Sequence, residues 1–149
     1  MSVLAGLRPE RVFYYFEELC RIPHGSGNTK EVSDYLVQFA KDHDLKYVQD
    51  EMNNVVIYKP GTAGYENAPV VIIQGHMDMV CEKRPDVEHD FTKDGLNISV
   101  KDGYVTANGT TLGGDDGIAV AYGLALLEST DIPLSLIHIS EPTRPEPIS

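Results

Sequence analysis

The chain has 149 residues, enough for one domain with a hydrophobic core, and its 42% hydrophobic and 23% charged residues are typical of a folded, water-soluble protein. Its 23 acidic and 12 basic residues give a formal charge of −11, which argues against nucleic acid as a partner because a phosphate backbone would be repelled. No apolar run approaches the roughly 20 residues of a membrane span, and no export signal opens the chain. We therefore expect a cytoplasmic protein without a membrane partner.

Two amphipathic helices are predicted in the first third of the chain. Apolar residues recur at helical spacing over residues 9–21 and again after Asn28. Glu31 follows Asn28 by three residues, which is typical of a capping box at a helix start. The second helix is expected to end near His43.

Strand patterns dominate the middle of the chain. Residues 45–49 and 55–58 predict a hairpin, and residues 98–106 predict another. The continuous apolar run at residues 70–73 is typical of a strand buried on both faces. A helix over residues 117–128 follows. Strands interleaved with helices predict an α/β fold, with a mixed sheet flanked by helices.

The first segment that can carry chemistry is His76-Met77-Asp78, directly after the apolar strand. Sites in open α/β sheets are built beyond the carboxyl ends of strands. In extended backbone, residues i and i+2 point the same way, so the Asp78 carboxylate is expected beside the His76 imidazole. A metal-binding histidine generally donates its other ring N–H to such a carboxylate. By itself the segment is also compatible with an ordinary strand-end histidine and a solvated carboxylate.

The second segment is the glycine-flanked pair Asp115-Asp116, within TTLGGDDG. Glycines permit unusual backbone dihedrals and close approach of a ligand. The pair precedes the predicted third helix, where free N–H groups and the helix dipole keep carboxylates ionised, as a metal-binding carboxylate must be. An aspartate at a helix start is also an ordinary cap, so this segment alone leaves both interpretations open.

Together these segments resemble the M20 family of metallopeptidases, and within it the aminoacyl-histidine (Xaa-His) dipeptidases. The resemblance covers about residues 9–133 and rests on five blocks in the family order. They read RIPHGSGNTKEVSDYL, NNVVIYKPGTAGYEN, VVIIQGHMDMVCEK, HDFTKDG and ANGTTLGGDDGIAVAYGLALL. The resemblance implies that residues 1–133 are the N-terminal part of a zinc-peptidase catalytic domain, which is incomplete in this chain.

The resemblance also implies roles for individual residues. His76 resembles the histidine ligand of one zinc ion, and Asp115 resembles the carboxylate that bridges two. Asp78 resembles the catalytic aspartate that orients the histidine, and Asp116 has a supporting position. The implied activity is hydrolysis of dipeptides, of the Xaa-His or β-alanyl-histidine type, by water activated at two zinc ions or other divalent metals. The implied full-length form is a homodimer.

The resemblance ends after Pro133. The family's paired glutamates, which supply the general base and a further ligand, do not follow. Residues 134–144 instead resemble a translated sequencing adapter, so we expect residues 134–149 to be a non-native tail of low order. A natural Pro-rich tail is the alternative, in which His138 could replace a missing ligand. The chain itself is expected to be inactive or nearly so.

Two other functions stay open at this point. One is a non-catalytic binding or interaction module that keeps a metallopeptidase-like fold. The other is a different di-metal amidohydrolase or deacylase of the same superfamily, which would differ mainly in substrate.

Overall fold

The computed structural model describes residues 2–142, which form three helices and six strands. In chain order these are α1 (Glu10–Arg21), α2 (Lys30–Asp42), β1 (Lys46–Gln49), β2 (Val55–Lys59), β3 (Val70–His76), β4 (Ile98–Lys101), β5 (Tyr104–Ala107), α3 (Gly114–Glu128) and β6 (Ser135–Glu141). The first eight elements confirm those predicted from periodicity, and β6 was not predicted.

The main sheet has the strand order β1-β2-β6-β3 and is mixed. β2 is antiparallel to β1 and β6, whereas β3 and β6 are parallel. β3, α3 and β6 therefore form a parallel crossover, with the separate β4–β5 hairpin inserted before the helix. The predicted α/β fold with a mixed sheet is confirmed.

The helices lie on one face of this sheet. Val55, Ile57, Leu136 and His138 point to that face, and each is at most 1% exposed. α2 and α3 cover it, and α1 packs against α3. The core of the molecule therefore lies between the sheet and these helices.

β3 differs from its prediction, because it is not buried on both faces. It pairs only with β6 among the described residues, so one of its edges is open. Ile72 is 60% exposed, and Val70 and Val71 beside it are also exposed. A strand is buried on both faces only when layers cover both faces of its sheet, and the described helices lie on one face of this sheet. The prediction of a strand is confirmed, and the prediction that it is buried on both faces is wrong.

The expectation of low order after Pro133 is wrong for β6. This strand lies at the centre of the sheet, with β2 on one side and β3 on the other. Its side chains alternate between buried and half-buried, as in a strand with one face on the core. The physical reason is that β2 and β3 leave a gap one strand wide, which the alternating SLIHIS segment fits. Residues 143–149 lie outside the described residues, and the non-native origin of residues 134–149 stays a prediction.

The predicted capping box at the start of α2 is also wrong. The N-cap residue is Thr29, without a capping side-chain hydrogen bond. The N–H of Asn28 donates to the Gly25 carbonyl at 2.8 Å, in a turn that precedes the helix. Within residues 2–142, no helix is long and apolar enough to cross a membrane.

His138 is a buried histidine in the middle of β6. Its Nδ1 lies 3.0 Å from the carbonyl oxygen of Ile73, and its Nε2 lies 3.0 Å from the hydroxyl of Ser140. The carbonyl can only accept, so Nδ1 carries the proton of the neutral ring. Burial lowers the pKa of His138 to about 4, despite the opposing effect of the Ile73 carbonyl. The ring is therefore neutral in the folded chain near pH 7.

We expect this histidine to make folding acid-sensitive. Its folded pKa lies below the ordinary value of 6.5, so the unfolded chain takes up the proton first as the pH falls. The neutral His138 ring makes its full contribution to the free energy of unfolding above pH 6.5. This contribution falls by about 3 kcal/mol in total as the pH drops toward 4. Urea unfolding at several pH values, with His138→Gln as the comparison, measures it. Equal pH dependence of the two proteins across this range would contradict the assignment.

Candidate active site

The candidate site lies at the carboxyl end of β3, where the first turn of α3 approaches it. His76 is the last residue of β3, Asp78 follows two residues later, and Asp115 and Asp116 lie in the first turn of α3. The crossover from β3 through α3 to β6 makes this meeting possible. The site thus has the position expected for α/β sheets.

His76 and Asp78 form a hydrogen-bonded pair. The Nδ1 atom of His76 lies 2.9 Å from Oδ1 of Asp78 and 3.1 Å from the Asp78 carbonyl oxygen. A carboxylate and a carbonyl are both acceptors, so Nδ1 must carry a proton. The sequence-based expectation that these two side chains are neighbours is confirmed. The arrangement leaves Nε2 as the atom of His76 that faces outward to a ligand.

A serine that the sequence analysis did not assign holds the other oxygen of this carboxylate. The Ser26 hydroxyl donates a short hydrogen bond to Oδ2 of Asp78. The backbone around Ser26 also pairs with the chain after β3, since the Ser26 N–H donates to the Met79 carbonyl at 3.1 Å and the Met79 N–H donates to the His24 carbonyl at 3.0 Å. Ser26 lies 52 residues before Asp78 in the chain. No pattern in the residues around Ser26 predicts this contact.

Asp115 approaches His76 from the other side. Its Oδ1 lies 3.1 Å from Nε2 of His76, although 39 residues separate them. The Asp115 side chain is 72% exposed, against 14% for His76, so the site opens to solvent on the side of the carboxylate. The predicted convergence of His76, Asp78 and Asp115 is confirmed as geometry. Their roles as metal ligand, orienting group and bridging ligand stay predictions.

Asp116 and two glycines lie where the end of β3 meets the start of α3. Oδ2 of Asp116 accepts a hydrogen bond from the His76 backbone N–H at 3.3 Å, which fits a supporting position. Gly113 has φ +76°, and a Cβ there would lie 3.1 Å from Sδ of Met79. A Cβ on Gly75 would lie 3.1 Å from Oδ2 of Asp116. Gly113 is also the N-cap of α3, and Asp115 and Asp116 have non-helical backbone dihedrals in the first turn of that helix.

His24 and His138, which the sequence resemblance or the tail brought into question, lie outside the site formed by His76, Asp78, Asp115 and Asp116. His24 is buried, and its Nδ1 is 2.6 Å from the Ile22 carbonyl oxygen. Burial lowers the pKa of His24, which keeps the ring neutral, as suits a structural residue. His138 uses both ring nitrogens within the sheet, so the idea that it replaces a missing ligand is wrong.

Nε2 of His76 and Oδ1 of Asp115 lie 3.1 Å apart, within hydrogen-bond distance. A ring nitrogen and a carboxylate oxygen that face each other in this way can share a proton, and both atom types are also metal donors. Two ligands of one tetrahedral zinc ion, each at about 2.0–2.2 Å, are about 3.3–3.6 Å apart, slightly more than the 3.1 Å found here. The two donors therefore fit a zinc ion in chemical type and spacing.

This donor pair is smaller than a complete catalytic zinc site. Such a site has about three protein ligands. In the part of the chain that the structure describes, no group of three or more His, Cys, Asp or Glu side chains is placed to hold a metal ion. His76 and Asp115 can thus contribute to a metal centre, with further ligands from elsewhere.

Known proteins resemble this chain in sequence and in fold. No family model matches the chain. It is 40% identical over 132 residues to the cytosol non-specific dipeptidase of Escherichia coli (strain K12), a match that covers 89% of this chain and 27% of that protein. The crystal structure of aminoacylhistidine dipeptidase from Vibrio alginolyticus matches 93% of this chain and 29% of its own, with a TM-score of 0.89 and 37% identity. This chain is a homologue of these dipeptidases.

The homology confirms the resemblance inferred from the five sequence blocks. A tripeptidase from Staphylococcus aureus shares the fold, with a TM-score of 0.69 and 24% identity over 90% of this chain and 36% of that one. The chain spans less than a third of the length of the two dipeptidases that it matches. The expected relation to a longer dipeptidase agrees with this coverage.

Proposed function

We propose that this chain forms part of a metal-dependent dipeptidase, in which His76 and Asp115 bind the metal and Asp78 orients His76. The observation that carries the proposal is that two potential metal donors, Nε2 of His76 and Oδ1 of Asp115, face each other at 3.1 Å. Homology to two dipeptidases supports the reaction class. The metal is proposed to be zinc, bound as two ions in the full-length enzyme, because a histidine nitrogen and carboxylate oxygens suit that ion.

The residues of this chain would act mainly by orienting the His76 ring and holding the metal ion. The hydrogen bond from His76 Nδ1 to Asp78 keeps the proton on Nδ1 and directs the Nε2 lone pair outward. The bond from the His76 N–H to Asp116 fixes the end of β3 against α3. The exposed carboxylate of Asp115 lies on the solvent side, where a substrate would approach. When bound, zinc supplies Lewis acidity toward the scissile carbonyl and makes water nucleophilic near neutral pH.

The proposed substrates are dipeptides with a free carboxyl-terminal residue, including the Xaa-His and β-alanyl-histidine types. The Vibrio alginolyticus relative is named an aminoacylhistidine dipeptidase, and the Escherichia coli relative is named a non-specific one. We propose that the enzyme acts in the cytosol and that its full-length form is a homodimer. The isolated 149-residue chain should be nearly inactive, because residues 2–142 offer only two metal donors at the site.

The direct test measures dipeptide hydrolysis by the natural full-length enzyme that carries these residues and by the 149-residue chain in parallel. We expect chelator-sensitive hydrolysis of β-alanyl-histidine or another dipeptide, restored by zinc, in the full-length enzyme only. Asp78→Ala should lower activity or zinc affinity on the order of 10- to 100-fold, as for other partners of metal-binding histidines. An N-acyl amino acid offered beside the dipeptides distinguishes a deacylase.

Three outcomes would contradict the proposal. Full-length enzyme whose hydrolysis survives a chelator would exclude the metal role. Preferred hydrolysis of the N-acyl amino acid would replace the dipeptidase with a deacylase. Robust, chelator-sensitive turnover by the 149-residue chain would show that its two donors are sufficient, against the argument from ligand number.

A further inference from the structure

We infer that Ser26 is a positioning residue of the metal site, which acts on His76 through Asp78. The inference rests on the proposed function and adds to it a residue that none of the earlier assignments includes. The Ser26 hydroxyl holds the Asp78 carboxylate in the orientation in which it accepts the Nδ1–H of His76.

The first support is that each oxygen of Asp78 has its own donor. The Ser26 hydroxyl donates to Oδ2, and Nδ1 of His76 donates to Oδ1 at 2.9 Å. A carboxylate held at both oxygens cannot turn about its Cβ–Cγ bond without losing one of these hydrogen bonds. The Asp78 side chain is only 6% exposed, and its hydrogen bond to the exposed Ser26 is part-buried. The hydroxyl therefore restricts the group that sets the His76 tautomer.

The second support is that the Ser26 backbone is held independently of its hydroxyl. Gly25 and Met79 form a parallel bridge, and hydrogen bonds join the Ser26 N–H to the Met79 carbonyl and the Met79 N–H to the His24 carbonyl. The loop is thus expected to keep its place when the hydroxyl is removed. Ser26→Ala consequently tests the contact with Asp78 rather than the presence of the loop.

Loss of the hydroxyl should change the metal donor in a specific way. Oδ2 of Asp78 would lose the Ser26 hydroxyl as its donor, and the carboxylate would gain freedom to turn away from the ring. The Nδ1–H of His76 would keep the Asp78 carbonyl as an acceptor but lose the carboxylate, so a larger share of the rings could carry the proton on Nε2, the nitrogen that must be unprotonated to bind a metal ion. We expect Ser26→Ala to weaken zinc binding about 10-fold, at the lower end of the effect of removing a direct partner of a metal-binding histidine.

The test uses two measurements on the full-length enzyme. The first is the ¹⁵N NMR signature of the His76 ring without metal, which distinguishes the two neutral tautomers from the protonated ring. The second is Zn²⁺ affinity, measured by competition with a chromophoric chelator. We expect the Nδ1–H tautomer in the wild type, a mixture of tautomers with weaker zinc binding in Ser26→Ala, and recovery of both in Ser26→Thr. Ser99→Ala, which removes a hydroxyl paired with Thr106 in the β4–β5 hairpin, is the matched control and should match the wild type.

The outcomes separate this inference from the proposed function. Wild-type tautomer and zinc affinity in a folded Ser26→Ala protein would overturn the role of Ser26, and the proposed function would stand if His76→Ala still lost zinc. Unchanged zinc affinity in His76→Ala would instead overturn the proposed function. If circular dichroism shows that Ser26→Ala does not fold, Ser26→Cys, which has similar volume and a weaker donor, takes its place. A wild-type result in that variant would overturn the inference equally.

Discussion

Replacing His76 or Asp115 with alanine is expected to weaken zinc binding by the full-length enzyme on the order of 100- to 1,000-fold, with a matching loss of dipeptide hydrolysis. The estimate follows because a zinc site of about four ligands contributes about 10–16 kcal/mol, so each ligand carries a few kcal/mol. Both side chains meet at one point, with Nε2 and Oδ1 only 3.1 Å apart. Metal content after dialysis and a zinc titration measure the effect.

Matched variants distinguish ligand loss from general damage. His43→Ala removes a histidine whose ring stacks on Phe39, and Asp86→Ala removes an exposed aspartate paired with Arg84. Both should retain the zinc content of the wild type. Asp78→Ala should fall between these controls and the His76 variant. Equal zinc affinity in the His76, Asp115 and control variants would show that the metal lies elsewhere.

Gly123→Ala is expected to destabilise the chain by about 2–4 kcal/mol. A Cβ on Gly123 would lie 2.4 Å from Cε1 and 2.5 Å from Nδ1 of His138, closer than atoms can approach. His138 is fully buried and both of its ring nitrogens are hydrogen-bonded, so the ring cannot move aside without losing those bonds. Overpacking costs about 1–3 kcal/mol, and an unpaired buried polar group costs about as much. Urea unfolding of the 149-residue chain measures the change.

The sign of this effect decides whether β6 lies against α3. Alanine is a better helix former than glycine by about 1 kcal/mol, so Gly123→Ala would stabilise α3 if His138 were not there. Gly114→Ala, where no heavy atom lies within 4 Å of the new Cβ, is the control and should change stability little. The double variant with His138→Ala should be less destabilised than the sum of the single variants. A stabilising Gly123→Ala would contradict the central position of β6.

The helices, the two hairpins and the contact between His76 and Asp78 could be predicted because each depends on nearby residues. Helical periodicity decides α1 and α2, and strand alternation decides the β1–β2 and β4–β5 pairs. His76 and Asp78 are two residues apart, so extended backbone alone places their side chains together. The family resemblance added the expectation that Asp115 joins them, and the two dipeptidase homologues agree with that resemblance.

The place of each strand in the sheet was decided only by tertiary structure. β3 and β6 show this in opposite directions, since the apolar run of β3 lies at an open edge and the segment expected to be disordered forms the central strand β6. An apolar run shows that a segment can be buried, but its neighbours determine how much of it is buried. The Ser26 contact with Asp78 also spans 52 residues. Contacts between distant residues depend on how layers and crossovers assemble, and local periodicity carries no information about that assembly.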